Sequence, residues 1–326
     1  MKNYEIKRVN FKVFRFNVNL DKSPYYESYT LEVSQDDVVL DILNRIKWEK
    51  DGSFSYRRSC RHGICGSCAI KVNNKPVLSC KERVFDLIKI FGYELVFEPQ
   101  DIKYAIKDMV VDKDRFWTKY NNVKPYLITN IETHPKEETV VTQEEAQMLE
   151  ESDYCIQCGN CFYSCPAVQA NVDFLGPAAL LKAFRFNTDV RDNAKIERLN
   201  IVNEERSGVW DCVKCYECAE ACPKELTPID KITKLHNQIF EENLAKDNVA
   251  TRHAVGFKDS IIKHGFLDEG ELVRYSEGNV GVLKHLPEAL HMLKNGKLIM
   301  PWQMPKSKNL DEVKKLVDIS STVKFK

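Results

Sequence analysis

Residues 155–166 read CIQCGNCFYSCP and residues 212–223 read CVKCYECAEACP, so one run of four cysteines and a proline occurs twice. Each run has the spacing C-x2-C-x2-C-x3-C-P, which is typical of bacterial ferredoxins that hold two iron-sulfur clusters. In that arrangement the fourth cysteine of each run binds the cluster of the other run. The spacing therefore predicts two four-iron sites, one held by Cys155, Cys158, Cys161 and Cys222 and the other by Cys165, Cys212, Cys215 and Cys218.

A third cysteine pattern precedes the two runs. Cys60, Cys65 and Cys68 have the spacing C-x4-C-x2-C, and Cys80 follows at a distance, as in plant-type [2Fe-2S] ferredoxins. The three patterns together use all twelve cysteines. We therefore expect one [2Fe-2S] and two [4Fe-4S] clusters, with [3Fe-4S] as the alternative for the second of these two. We also expect a role in electron transfer and no catalytic residue on this chain.

The segments around the first pattern predict a small mixed sheet. Alternating apolar residues over 11–18 and 26–33 indicate a β-hairpin, and periodic apolar residues over 39–46 indicate a helix. A second hairpin over residues 69–78, with its turn at Asn73-Asn74, returns Cys80 to the glycine-rich loop that carries the other three cysteines. This order of elements predicts a β-grasp ferredoxin domain over residues 1–110.

The remainder of the chain is predicted to be helical. A polar connector over residues 111–142 leads to an all-α domain like a bacterial two-cluster ferredoxin over residues 143–244. Within it, Pro177 and Pro228 stand at the first position of predicted helices. Residues 245–326 form a predicted helical extension, so the fold class is α+β.

Composition excludes several classes of protein. The chain has 48 basic and 48 acidic residues, so no overall field attracts nucleic acid. It contains no glycine-rich phosphate loop, no signal peptide and no apolar stretch long enough to cross a bilayer. Disulfide frameworks belong to short secreted chains, whereas these cysteines are bunched at ligand spacing.

Two other metal sites were weighed against the iron-sulfur interpretation. Zinc also takes four thiolates, but it usually takes them in pairs, and four in one tight run exceed the needs of one ion. His62, two residues after Cys60, could act like the histidine ligand of a Rieske centre. Because four cysteines already complete that site, a solvent-facing loop histidine is the favoured interpretation.

Two sequence stretches resemble a known family. Residues 59–69 (SCRHGICGSCA) and 174–179 (FLGPAA), with Asp192 after Arg191, are similar to the iron-sulfur subunit of succinate dehydrogenase and fumarate reductase. The resemblance implies a β-grasp domain docked on an FAD-bearing flavoprotein that interconverts succinate and fumarate. It also implies a helical domain that exchanges electrons with the quinone pool, in a complex peripheral to the cell membrane.

This chain departs from the common family pattern at three places. Cys215 replaces an apolar residue, which favours [4Fe-4S] over the family's [3Fe-4S] cluster. Ala170 and Val213 stand where succinate dehydrogenases usually carry a Trp and a His near the quinone. The tail over residues 252–298 is similar to that of the small iron-sulfur subunit of heterodisulfide reductases.

These departures point to the variant complexes similar to 8-methylmenaquinol:fumarate reductases, whose third subunit is cysteine-rich, resembles heterodisulfide reductase and faces the membrane. The expected function is a single-electron relay between the flavoprotein and that quinol-linked subunit. The alternatives are a subunit of a thiol-linked fumarate reductase or of a heterodisulfide reductase. The cytoplasmic face is expected by default, and the periplasmic face if a flavoprotein with a twin-arginine signal carries the folded subunit across.

Overall fold

The computed structural model describes residues 5–130, 137–297 and 304–322. By its contacts the chain divides into two compact units, one up to Asn237 and one from Gln238 onward. The connector break predicted at His134-Pro135 and the tail residue Leu298 lie outside the described residues. No helix in the described ranges is both long enough and apolar enough to span a membrane.

The N-terminal part of the first unit is a five-stranded mixed sheet of order β2-β1-β5-β3-β4. β1 runs antiparallel to β2 and parallel to β5, and β3 runs antiparallel to both β4 and β5. A small separate hairpin, β6-β7, follows the sheet. The strands are β1 (Ile6–Arg15), β2 (Tyr25–Ser34), β3 (Ala69–Val72), β4 (Lys75–Leu78), β5 (Glu94–Glu98), β6 (Ala105–Lys107) and β7 (Val110–Val111).

The predicted β-grasp arrangement is confirmed. Alternate residues of β1 are buried, Val9, Phe11 and Val13 among them, and helix α1 (Val39–Arg45) contributes Ile42 to the same core. Helix α2 (Val84–Phe91) leads into β5. The apolar periodicities of 2 and 3.6 residues in the sequence therefore correspond to the strand and helix faces that form this core.

The first hairpin differs in its bounds from the sequence prediction. β1 begins at Ile6 and ends at Arg15, whereas the alternating pattern suggested a strand as far as residue 18. The strand ends because Asn17 starts a turn: its side-chain oxygen accepts a hydrogen bond from the amide of Asn19 (3.1 Å). Asn side chains favour such turns over a sheet ladder.

The second hairpin turns at two asparagines, as predicted. Asn73 and Asn74 have φ values of 48° and 65°, the left-handed conformation that a two-residue hairpin turn requires. Cys80 follows the end of β4 and is buried beside the loop of residues 59–68. The turn thus carries the fourth cysteine of the first pattern back to the other three.

Short helices surround the two cysteine runs in the rest of the first unit. One of them, α3, lies inside the predicted polar connector, where Phe116 and Tyr120 are buried and Phe116 packs edge-on against Phe162 (5.5 Å between ring centroids). The helices are α3 (Asp114–Asn122), α4 (Gln143–Asp153), α5 (Asn160–Tyr163), α6 (Pro166–Ala170), α7 (Pro177–Thr188), α8 (Lys195–Val202), α9 (Glu217–Glu220) and α10 (Pro228–Glu241).

A buried ion pair joins the connector to the helices. Arg198 and Asp192 are both fully buried and form two hydrogen bonds of 2.7 and 2.8 Å. Arg198 also donates to the carbonyl oxygens of Lys124 (3.1 Å) and Tyr126 (3.0 Å). Burial would raise the pKa of Asp192, but the hydrogen bonds from Arg198 and two backbone amides outweigh it and lower the pKa.

The second unit consists of helices. The segments predicted at residues 269–275 and 286–294 lie in α12 and α13, and α12 extends further than predicted, across a break at Gly278 (φ 69°). Beyond the end of α10, its helices are α11 (Val249–His264), α12 (Glu269–Lys284), α13 (Leu286–Lys294) and α14 (Leu310–Thr322).

Replacing Asp192 with Asn tests the buried pair. The change keeps the side-chain shape but leaves the Arg198 guanidinium buried without a counter-charge, so we expect a loss of about 3–5 kcal/mol of stability. The measurement is the urea midpoint of the anaerobic, cluster-loaded protein, followed by far-ultraviolet circular dichroism.

Glu197→Gln is the matched control, since it removes the exposed ion pair of Glu197 with Lys124. It should change the stability by no more than about 1 kcal/mol. Equal midpoint shifts in the two variants would contradict the role given to Asp192.

Candidate metal centres

The first set of thiols lies in the loop of residues 59–68. The backbone amides of His62, Ile64 and Cys65 donate hydrogen bonds of 3.3–3.4 Å to the sulfur of Cys60. These bonds, that of His62 first, lower the pKa of the Cys60 thiol to about 6. The loop therefore stabilises a thiolate before any metal is considered.

The same loop brings its partners together. The amide of Gly63 donates to the sulfur of Cys80 (3.2 Å), and the sulfurs of Cys68 and Cys80 lie 3.4 Å apart. Gly63 has a φ of 71°, a backbone conformation that suits glycine. Cys65 is exposed, so this first set reaches the protein surface.

The second set of thiols lines a small cavity. Burial raises the pKa of Cys158 to about 11 and that of Cys161 well above its usual value. A neutral thiol is thus favoured there unless a metal takes the place of the proton. The cysteines that line this cavity are Cys155, Cys158, Cys161 and Cys222.

The third set of thiols also lines a small cavity. Burial raises the pKa of Cys218 to about 12, whereas Cys215 is exposed. The exposed side chains of Val213 and Tyr216 also line this cavity, so the third set, like the first, reaches the surface. Its cysteines are Cys165, Cys212, Cys215 and Cys218.

The two cysteine runs have equivalent backbones. Gln157 and Lys214 follow the first cysteine of each run by two residues, and both have a left-handed φ, of 50° and 54°. Gly159 and Tyr216 follow the second cysteine of each run, with φ values of 91° and 66°. The duplication seen in the sequence is therefore a duplication of local structure.

All three sets fit iron-sulfur clusters. Each offers four sulfur donors, and no His, Asp or Glu lines either of the two cavities in the described part of the chain. The other residues that line the two cavities are mainly apolar. Such a lining limits solvent access and so influences the reduction potential of a cluster. Each set matches one predicted ligand group, and the assignment of individual ligands stays a prediction.

The first and second sets are in direct contact. Gly66, with a φ of 68°, lies so close to the second set that a Cβ there would be 2.8 Å from the Cα of Cys158 and from the carbonyl oxygen of Ile156. The side chain of Gln100 also donates to the carbonyl oxygen of Cys158 (3.2 Å). The glycine thus allows the [2Fe-2S] loop to pack against the backbone of the second set.

Two lysines near the second set, the half-buried Lys113 and the buried Lys182, do not follow from the sequence patterns. Lys113 Nζ donates to the carbonyl oxygen of Cys158 (2.8 Å), and Lys182 Nζ donates to that of Ser152 (3.2 Å). Burial lowers the pKa of both lysines, and the negative charges of nearby thiolates, Cys158 and Cys155, oppose it. Lys182 belongs to the mainly apolar buried face of α7, and no sequence pattern marks its charge as functional.

Within the described part of the chain, no histidine lines the cavities of the second and third sets. His62 is exposed, and only its backbone amide is recorded in contact with a cysteine sulfur. His236 packs on Trp210 (4.6 Å between ring centroids), and burial lowers its pKa to about 4. The Rieske-like role considered for His62 therefore gains no support from its position.

Comparison with known proteins gives two family matches. A model described as a 2Fe-2S iron-sulfur cluster binding domain matches residues 10–118, and one described as a 4Fe-4S dicluster domain matches residues 151–226. The chain therefore carries one [2Fe-2S] domain and one domain for two [4Fe-4S] clusters, as predicted.

Two curated relatives are similar to this chain over about 70% of its length. The fumarate reductase iron-sulfur subunit of Haemophilus influenzae is 35% identical over 237 residues, 69% of this chain and 91% of the relative. The succinate dehydrogenase iron-sulfur subunit of Coxiella burnetii is 36% identical over 237 residues, 72% of this chain and 98% of the relative. Among solved structures, the Mycobacterium smegmatis Sdh1 complex in the apo form shares the fold, with a TM-score of 0.64, 22% identity and coverage of 74% of this chain and 100% of that one.

Substituting Gly66 with Ala tests the contact between the first two sets. The new Cβ would lie 2.8 Å from the Cα of Cys158. The alanine would also have to keep the left-handed φ of 68°, which residues with a side chain disfavour, at a cost of about 1–3 kcal/mol of stability. We expect the variant to retain less [2Fe-2S] cluster, measured by visible circular dichroism and by iron and sulfide content.

Gly52→Ala is the matched control, because a Cβ at Gly52 has no other atom within 4 Å. Its cluster content should equal that of the unmodified protein. A Gly66→Ala protein with full cluster content would show that the close approach is not needed.

Proposed function

The chain belongs to the family of iron-sulfur subunits of succinate dehydrogenase and fumarate reductase, and on that premise we propose that it relays single electrons between a flavoprotein and a quinol-linked partner. In this proposal the FAD-bearing flavoprotein interconverts succinate and fumarate. The chain itself binds no substrate. The clusters would supply one-electron exchange at potentials within about −700 to +450 mV, set by their surroundings.

The observation that carries the proposal is the order of the three thiol sets. The first and third sets each include an exposed cysteine, Cys65 and Cys215, whereas no cysteine of the second set is exposed. Gly66 packs the first set against the second. Two cluster sites that reach the surface, with a less exposed site between them, are what a relay between two partner proteins requires.

We propose the ligand sets that the cysteine spacing predicts. Supporting them, each run's fourth cysteine lines the cavity of the other run. The sets are Cys60, Cys65, Cys68 and Cys80 for [2Fe-2S], Cys155, Cys158, Cys161 and Cys222 for the first [4Fe-4S] cluster, and Cys165, Cys212, Cys215 and Cys218 for the second.

The partner at the third set, in this proposal, is a protein rather than a quinone bound directly on this chain. Val213 and Ala170 are both exposed and offer no side-chain hydrogen bond to a quinone oxygen. We therefore propose a cysteine-rich, membrane-facing subunit there, as in the 8-methylmenaquinol:fumarate reductase type, working in the direction of fumarate reduction. That partner would then attach the complex to the membrane. Any export signal on the flavoprotein would decide on which face of the membrane the complex lies.

A second candidate function rests on the C-terminal unit. The helices from Gln238 onward form a compact unit that begins beyond residue 226, where the second family match ends. The resemblance of this tail to the small subunit of heterodisulfide reductases keeps a thiol-linked fumarate reductase or a heterodisulfide reductase as the alternative. The two functions differ in the reductant that the complex accepts.

Purification of the complex under argon from its native host tests the proposed function. We expect mass spectrometry to identify a flavoprotein and a cysteine-rich partner, and the complex to couple reduced benzyl viologen or a naphthoquinol to fumarate reduction. Fumarate reduction driven by thiols but not by quinols would favour the alternative. A colourless protein that contains zinc and no acid-labile sulfide would refute both.

The variant Cys215→Val tests the fourth ligand of the third set. Three thiolates would remain, so we expect an oxidised-state [3Fe-4S] signal in electron paramagnetic resonance that the anaerobic unmodified complex lacks. Val213→Ala, a change on the same exposed loop, should leave the spectrum unaltered. An oxidised-state [3Fe-4S] signal from the unmodified, undamaged complex would contradict the assignment of Cys215.

A further inference from the structure

The C-terminal unit contains a cleft of about 650 Å³ that none of the twelve cysteines lines. The end of α11, the first turn of α12 and part of α13 form its walls. Three side chains with metal-binding atoms meet there: His264, Asp268 and Glu271, whose donor atoms all lie within 4.8 Å of one another. We propose that these three residues bind a divalent transition-metal ion, with zinc as the preferred ion.

His264 is the observation that points to a ligand. Its side chain lines the cleft, the residue is only 7% exposed, and neither ring nitrogen has a hydrogen-bond partner. A buried polar group without a partner is costly and uncommon in folded proteins. The backbone is fixed, since the carbonyl oxygen of His264 accepts a hydrogen bond from the amide of Ser307 (2.8 Å).

The distances suit a single small ion. His264 Nε2 and Glu271 Oε2 lie 3.5 Å apart. Two ligands at the usual zinc distances of about 2.0–2.2 Å are separated by roughly 3.3–3.6 Å in a tetrahedral site. Asp268 is the third ligand in the proposal, since one oxygen of its carboxylate lies within 4.8 Å of the donor atoms of His264 and Glu271.

The second oxygen of each carboxylate already has a partner that orients it. Asp268 Oδ1 accepts a hydrogen bond from the amide of Glu271 (2.9 Å), and Glu271 Oε1 accepts one from Lys263 Nζ (2.7 Å). Oε2 of Glu271 is buried and has no hydrogen-bond partner. Outer contacts of this kind fix ligands in metal sites and support their affinity.

Local structure explains how residues so close in sequence converge. His264 is the last residue of α11, Gly265 (φ 74°) reverses the chain, and Asp268 is the N-terminal cap of α12. Glu271 lies in the first turn of α12, so all three donors stand at one end of the α11–α12 hairpin. A bound ion would clip the two helices together at their connection.

The donor set selects the class of ion. Imidazole with carboxylates suits zinc and similar transition metals, whereas magnesium and calcium prefer oxygen donors alone. Because no thiol takes part, the site is chemically distinct from the three cluster sites. The proposal does not depend on the proposed function.

Equilibrium dialysis of the full-length protein against zinc chloride tests the site. The protein should be purified anaerobically with its iron and acid-labile sulfide at full stoichiometry, so that the cysteines are occupied. We expect one tightly held zinc ion per chain by plasma mass spectrometry, undisturbed by excess magnesium. A cluster-loaded protein that retains no zinc would overturn the proposal.

Asp268→Asn separates metal binding from helix capping, because Asn caps a helix as well as Asp but offers no negative charge. Both Asp268→Asn and His264→Gln should weaken zinc binding at least about tenfold while the helical circular dichroism is retained. His285→Gln is the control: His285 lines the same cleft, but its ring lies 2.8 Å from Glu288. Zinc affinity that is equal in all three variants and the unmodified protein would also overturn the proposal.

Discussion

A run of the form C-x2-C-x2-C can supply three thiolates to one cubane, and the fourth must come from elsewhere in the chain. Cys222 lines the cavity of the first run and Cys165 that of the second, which is the placement that the proposed exchange of ligands requires. The two runs must therefore lie side by side, with α5 packed against α9. The exchange joins two segments that are distant in sequence.

The apolar core of this part of the first unit forms around that exchange. Ala178 and Leu181 of α7 line the second set, while Ile229 and Ile232 of α10 line the third. These side chains are buried against the thiol sets, so the helices that follow each run also form the walls of the metal sites. The residues that line the metal sites are thus also residues of the apolar core, so short helices are enough to form this part of the fold.

The sequence predicted the local features of the fold and site better than the distant ones. The cysteine groupings, the Asn73-Asn74 turn and the helix that begins at Pro177 follow from spacing and local propensity. The parallel pairing of β1 with β5 and the helix at residues 114–122 depend on partners far along the chain. The positions of Lys113 and Lys182 were likewise invisible, because only the folded chain brings them beside the second set.

Those two lysines follow from the burial of the second set. Four thiolates bring negative charge into a cavity with mainly apolar walls, where an uncompensated charge is costly. The first set has backbone amides around a thiolate in a surface loop, whereas no cysteine of the second set is exposed and water has less access to it. Lys182 and Lys113, each held by a backbone carbonyl, supply positive charge at the middle station of the proposed relay. Cluster potentials respond to nearby charge and to solvent exposure. The two lysines and the lower exposure therefore give the second set surroundings that differ from those of the first and third sets.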